Sequence, residues 1–159
     1  MKIPVCSAAL AALLLFSTSC VNAATKINGF DYNPKRKDGS CPKVDQVRGD
    51  LEILGQYTNR LRIYSVKDCN QGEPILRAME GTDWKLTIGL WIEGNRASFD
   101  ADKAELIRLS SVFDFKKQVE AVLVGSEALY RKDVTTDQLV GYIAEVREAL
   151  KGAGLESIP

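Results

Sequence analysis

Histidine is absent from the 159 residues of this chain. Without imidazole there is no Ser-His-Asp or Cys-His nucleophile system, and no metal site built on histidine nitrogens. Any proton the protein moves has to travel through Asp, Glu, Tyr or Lys. Excess charge is missing as well: 21 basic residues face 21 acidic ones, and no basic stripe stands out. That balance argues against a nucleic-acid partner. No Asn-x-Ser/Thr triplet occurs, so N-linked sugar is not expected. Cysteines number only four, and no apolar run reaches the roughly 18 residues that a membrane span requires. With 45% hydrophobic and 26% charged residues, the remainder has the composition of one globular domain.

The apolar run "AALAALLLF" at residues 8–16 follows the positive charge of Lys2. It precedes "VNA", which ends at Ala23 with small residues at the −3 and −1 positions of a cleavage site. This reads as a signal peptide over residues 1–23, with residues 24–159 secreted to the cell exterior or the cell wall. A membrane anchor is the alternative, and the run is short for one. Cys6 and Cys20 leave with the signal, while Cys41 and Cys69 stay. An even pair in an oxidising compartment predicts one disulfide, two free thiols being the alternative. Its loop of about 28 residues would favour folding by roughly 3 kcal/mol in the chain-entropy model.

Four strand-like runs recur: "INGFDY" (27–32), "RLRIYS" (60–65), "WKLTIGLW" (84–91) and "VEAVLVG" (119–125). Helical spacing fills the intervals. Val44, Val47, Leu51 and Leu54 make one apolar stripe, with Gly55 at its end. Leu139, Tyr142, Ile143, Val146 and Leu150 make another, opened by a Thr135/Gln138 capping box and closed by Gly152. The helix in "EPILRAME" has Pro74 in its first turn, and a less regular one is expected around Asp102–Ser111. Strict β-α alternation implies parallel strands with right-handed crossovers, either in a doubly wound sheet or in a (β/α)8 barrel. At roughly 31 residues per unit, a barrel would be about half complete. The final "ESIP" reads as the start of a fifth strand, so truncation before strand five is the expectation.

In parallel α/β folds, functional groups collect at the carboxyl ends of the strands. Here those ends are Tyr32, Tyr64, Trp91 and Glu127. Aromatic faces stack on sugar rings, and a carboxylate takes sugar hydroxyls. Arg62, two residues before Tyr64, points to the same side of its strand and needs a carboxylate partner. Lys35, Arg36 and Lys37 read as a solvated loop.

The blocks "GFDY", "DGSC", "RLRIYSVKDCNQGEPIL", "GLW" and "VGSEALYR", in this order along residues 24–159, resemble the secreted family 17 glycoside hydrolases of the fungal and oomycete type. The resemblance implies the amino-terminal half of a (β/α)8 TIM barrel, four βα units with parallel strands. It implies hydrolysis or transglycosylation of β-1,3-glucan with retention, without metal or cofactor. Glu127 falls on the general acid/base. Ser126 falls beside it as a substrate hydrogen-bonding position, and Arg62 on an arginine that keeps the nucleophile ionised. Tyr32, Tyr64 and Trp91 fall on sugar-binding positions. The family nucleophile belongs to strand seven, and neither Asp68 nor Glu93 matches it. The other reading is therefore a non-catalytic, glucan-binding secreted remnant.

Overall fold

Each of the four strand-like runs forms a strand of a single parallel sheet in the computed structural model, which describes residues 27–159. The proposed signal peptide lies outside the described residues. The strands are β1 (Phe30–Asp31), β2 (Arg60–Ile63), β3 (Lys85–Leu90) and β4 (Val119–Val124), paired in chain order. Their register sets Asp31 beside Arg62, Arg62 beside Thr87 and Thr87 beside Ala121. Alternation then divides the residues between the two faces. Leu61, Ile63, Leu86, Ile88 and Leu90 are fully buried, while Arg60, Arg62, Lys85 and Thr87 on the opposite face are not. Four βα units with their helices against one face form half of a (β/α)8 barrel.

The helices are α1 (Val44–Leu54), α2 (Gly72–Met79), α3 (Arg96–Ser110), α4 (Phe115–Gln118) and α5 (Thr136–Gly152). In α1 the expected stripe buries Val47 and Leu51. The capping box of α5 forms as expected, and Val146 and Leu150 enter the core. Pro74 takes the third position of α2, where the amide it lacks has no helical partner in any case. Helix α3 starts six residues before the expected Asp102, because Asn95 caps it by accepting from the Ala97 amide. Its polar first turn hides that start from any hydrophobic pattern. Burial of large apolar side chains such as Phe99, Ile75 and Leu106 drives the assembly, at about 1.5–3 kcal/mol each.

Two details set the strand ends. At Gly89 a Cβ would run into the Ile63 and Tyr64 carbonyl oxygens, so glycine alone lets β3 lie this close to the end of β2. The Cys41–Cys69 disulfide forms, with Cα atoms 5.3 Å apart, and ties the segment before α1 to the turn after β2. Beyond β4, the Val122 amide donates to the Pro159 carbonyl at 2.8 Å, on the edge where a fifth strand was expected.

Candidate active site

After β4 the chain reverses through Gly125, whose φ of +81° suits glycine, and then Glu127 takes φ +54°. A non-glycine residue in the left-handed region is strained by about 1–3 kcal/mol and needs outside support. The support is local. The Arg131 amide donates to the Glu127 carbonyl at 2.9 Å, the Asp133 amide donates to the Ala128 carbonyl at 2.9 Å, and Ala128 is buried. Glu127 itself is exposed at the open end of the strand.

Arg62 lies next to this turn. Its Nη2 donates to Ser126 Oγ at 3.2 Å, its Nη1 stands 3.5 Å from Asp31 Oδ1, and its guanidinium lies 4.7 Å from the centre of the Tyr64 ring. The carboxylate that Arg62 required is therefore Asp31. The Nε of Arg62 is buried and has no hydrogen-bond partner among the described residues. Asp31 also acts on Tyr64: as a hydrogen-bonding partner it is the main cause that raises the Tyr64 hydroxyl pKa above its ordinary value, and Glu127 adds a smaller push in the same direction. Tyr64, Arg62, Ser126 and Glu127 thus form one neighbourhood.

Trp91 joins it through Arg131, whose guanidinium lies 4.4 Å from the ring centre. The Trp91 indole N–H donates to Glu93 Oε1 at 3.2 Å. A cavity of about 630 Å³ is lined by Tyr64, Trp91, Glu93, Asp68, Asn33 and Asp102, among others. Neither Glu127 nor Arg62 lines it; the cavity meets this neighbourhood at Tyr64 and Trp91. Asp68 is held by Lys35 at 2.9 Å.

Tyr32 does not join this group, which corrects the expectation that four strand ends converge. It is 8% exposed and turned to the helix side, where its hydroxyl donates to Asp50 Oδ2 at 2.5 Å. Burial first, and then the Asp50 carboxylate, push that hydroxyl's pKa well above its usual range. Strand alternation gives the inward position to Asp31 instead. Arg36 also departs from the solvated-loop reading, since it is half-buried and pairs with Asp50 at 2.9 Å.

Three residues of the site carried no role in the sequence reading. Asp31 was hidden behind its aromatic neighbour. Asp102 is 1% exposed on α3, where it accepts from Ser65 Oγ at 2.8 Å and from the Val66, Lys67 and Trp91 amides at 2.7–3.0 Å. Burial raises its pKa against those bonds. Its signal was a carboxylate spaced three from Phe99 and four from Leu106, within an apolar stripe. Arg131 had the weakest signal, its spacing of four from Glu127. Among the described residues no group of His, Cys, Asp or Glu could hold a metal, and no helix is long and apolar enough to cross a membrane.

Relatives share part of this sequence and the fold. A glucan 1,3-β-glucosidase of Candida albicans is 32% identical over 123 residues, covering 77% of this chain and 39% of its own length. A glucan 1,3-β-glucosidase of Schizosaccharomyces pombe is 34% identical over 154 residues, covering 88% of this chain and 47% of its own. The solved family 17 β-1,3-glucanosyltransferase of Rhizomucor miehei, also known as an active-site mutant in complex with laminaritriose, superposes with a TM-score of 0.71 at 32% identity. It covers 80% of this chain and 46% of that one. The chain thus spans less than half the length of each. The sequence model of the BtgE/BtgC glycoside hydrolase domain matches residues 29–159, which include every strand and helix described above, and to that glycoside hydrolase family the chain belongs.

Proposed function

We propose that the chain supplies the acid/base side of a site that processes β-1,3-glucan with retention of configuration. The observation that carries this is Glu127, exposed beyond β4 in a supported left-handed backbone, with Arg62, Ser126, Tyr64 and Trp91 around it. As general acid, Glu127 protonates the leaving glycosidic oxygen. As general base, it then activates water for hydrolysis or a sugar hydroxyl for transfer. Tyr64 and Trp91 offer aromatic faces to the glucose rings, and Ser126 offers a hydroxyl to the ring under attack. A retaining reaction needs a second carboxyl group about 5–5.5 Å away. That nucleophile belongs to barrel strands beyond β4, and the unpaired Nε of Arg62 is placed to help keep it ionised. Residues 1–23 act as a secretion signal, and the substrate is cell-wall glucan. The names of the relatives, glucan 1,3-β-glucosidases and a glucanosyltransferase, support this reading.

The test uses laminarin. The 159-residue polypeptide alone is expected to release reducing ends only at background, and joined to the carboxy-terminal half of a relative's barrel it should turn over. In that joined barrel, Glu127→Gln keeps the shape and removes the transferable proton, so hydrolysis should fall by about 10²–10⁴-fold. A dinitrophenyl glucoside, whose leaving group needs no proton, should lose far less in its first step. Turnover of laminarin by Glu127→Gln at the unsubstituted rate would reject Glu127 as the acid/base.

A further inference from the structure

We infer that Arg131 is the positioning residue that locks Glu127 and Trp91 into one rigid unit; this rests on the reading of Glu127 and Trp91 as the glucan-handling residues. The two carbonyls flanking the Glu127 α-carbon are both taken by Arg131. Its side-chain Nη1 donates to the Ser126 oxygen, and its main-chain amide donates to the Glu127 oxygen at 2.9 Å. With both peptide planes held, the left-handed backbone of Glu127 has nowhere to relax. The same guanidinium reaches across to the loop after β3. Its Nη2 donates to the Ile92 carbonyl at 3.0 Å, and its central carbon lies 4.4 Å from the centre of the Trp91 ring. Asp133 completes the fork at 2.8 Å and fixes the rotamer. One side chain therefore satisfies two loop carbonyls, a carboxylate and an aromatic face. From its other side, the Trp91 amide is held by the buried Asp102. Trp91 is thus pinned on both sides, and Arg131 is the link that makes its position depend on that of Glu127.

A lysine cannot reproduce this. Its single ammonium head lacks the planar fork and the flat face that meet these partners together. Arg131→Lys should therefore resemble Arg131→Ala rather than the unsubstituted chain.

The chain has two tryptophans, so a ¹⁵N–¹H spectrum of the full chain shows two indole signals, one from Trp91 and one from the buried Trp84. Trp91→Phe assigns them. Arg131→Lys and Arg131→Ala should each move the Trp91 signal and leave the Trp84 signal in place. Loss of fold would instead collapse both signals, and Arg131→Lys and Asp133→Asn provide gentler variants if the alanine variant unfolds. Titration with laminaritriose should move the Trp91 signal in the unsubstituted chain, and the affinity should fall by about tenfold in both Arg131 variants, the size of a lost cation–π contact with its orientation. An unmoved Trp91 signal in both Arg131 variants overturns the positioning role, and so does a lysine variant with unsubstituted affinity. No laminaritriose response in the unsubstituted chain would reject the glucan reading, while the indole shift still decides the role of Arg131.

Discussion

Tyr32 and Asp31 show how much depends on one step along a strand. The sequence pattern marks both as lying at the end of β1, but only register against Arg62 tells which one faces the site. Tyr32 faces the helices, with its hydroxyl bound to Asp50. Tyr32→Phe should therefore leave laminaritriose binding unchanged and cost about 1 kcal/mol of stability, the usual net worth of such a bond, read as a fall in the urea midpoint. A lost sugar response with full stability would return Tyr32 to the cleft. The placing of Glu127, Ser126, Arg62, Tyr64 and Trp91 at or near the strand ends was legible because strand ends can be located from period-two patterns and the turn residues that follow. Arg131 and Asp102 were not, because their roles consist of contacts with main-chain atoms of distant loops. Asp102 serves the turn after β2 and the end of β3 at once, and nothing in the spacing of side chains announces a buried carboxylate's backbone partners.

At the level of elements, the cross-connection of α3 and α5 is a feature that responds to acid. Glu145 on α5 accepts from Arg96 Nη1 at 2.8 Å and from Lys103 at 2.6 Å, both on α3. The Arg96 hydrogen bonds, and then those of Lys103, pull the Glu145 pKa from 4.5 down to about 2. A carboxylate whose folded pKa lies below its unfolded one adds stability at pH above about 4.5, and that stability is lost as pH falls toward 2. Urea midpoints should therefore decline across this window, and Arg96→Ala should flatten the decline. The pair is about a third exposed or more, so the change is small. An equal slope in the variant would show that Arg96 does not hold Glu145 in solution. The helices themselves were readable where a stripe or a cap stood out, as in α1 and α5. In α3 the stripe is interrupted by Asp102, the residue that the site recruits, so the pattern weakened where a packing position serves the loops instead.

Across the whole molecule, the Cys41–Cys69 bond joins the first βα unit to the turn after β2 and spans 28 residues of sequence. Reduction should lower stability by roughly 3 kcal/mol, measured as the shift of the urea midpoint between oxidised and reduced protein. Denatured oxidised protein should show no thiol at these positions, and labelling of both would refute the bridge. The bridge was readable from the even count of cysteines and the parallel βα units from strict alternation of strand and helix, whereas the half-barrel followed only from the family resemblance. The sheet order has a further consequence, for the order of folding. Neighbouring strands are consecutive in the chain, so each closes a loop of only about 20–30 residues onto an edge that already exists. A chain emerging amino-terminus first therefore lays its strands down in the order in which the sheet accepts them. Glu127 arrives with β4, when the wall carrying Arg62, Tyr64 and Trp91 already stands.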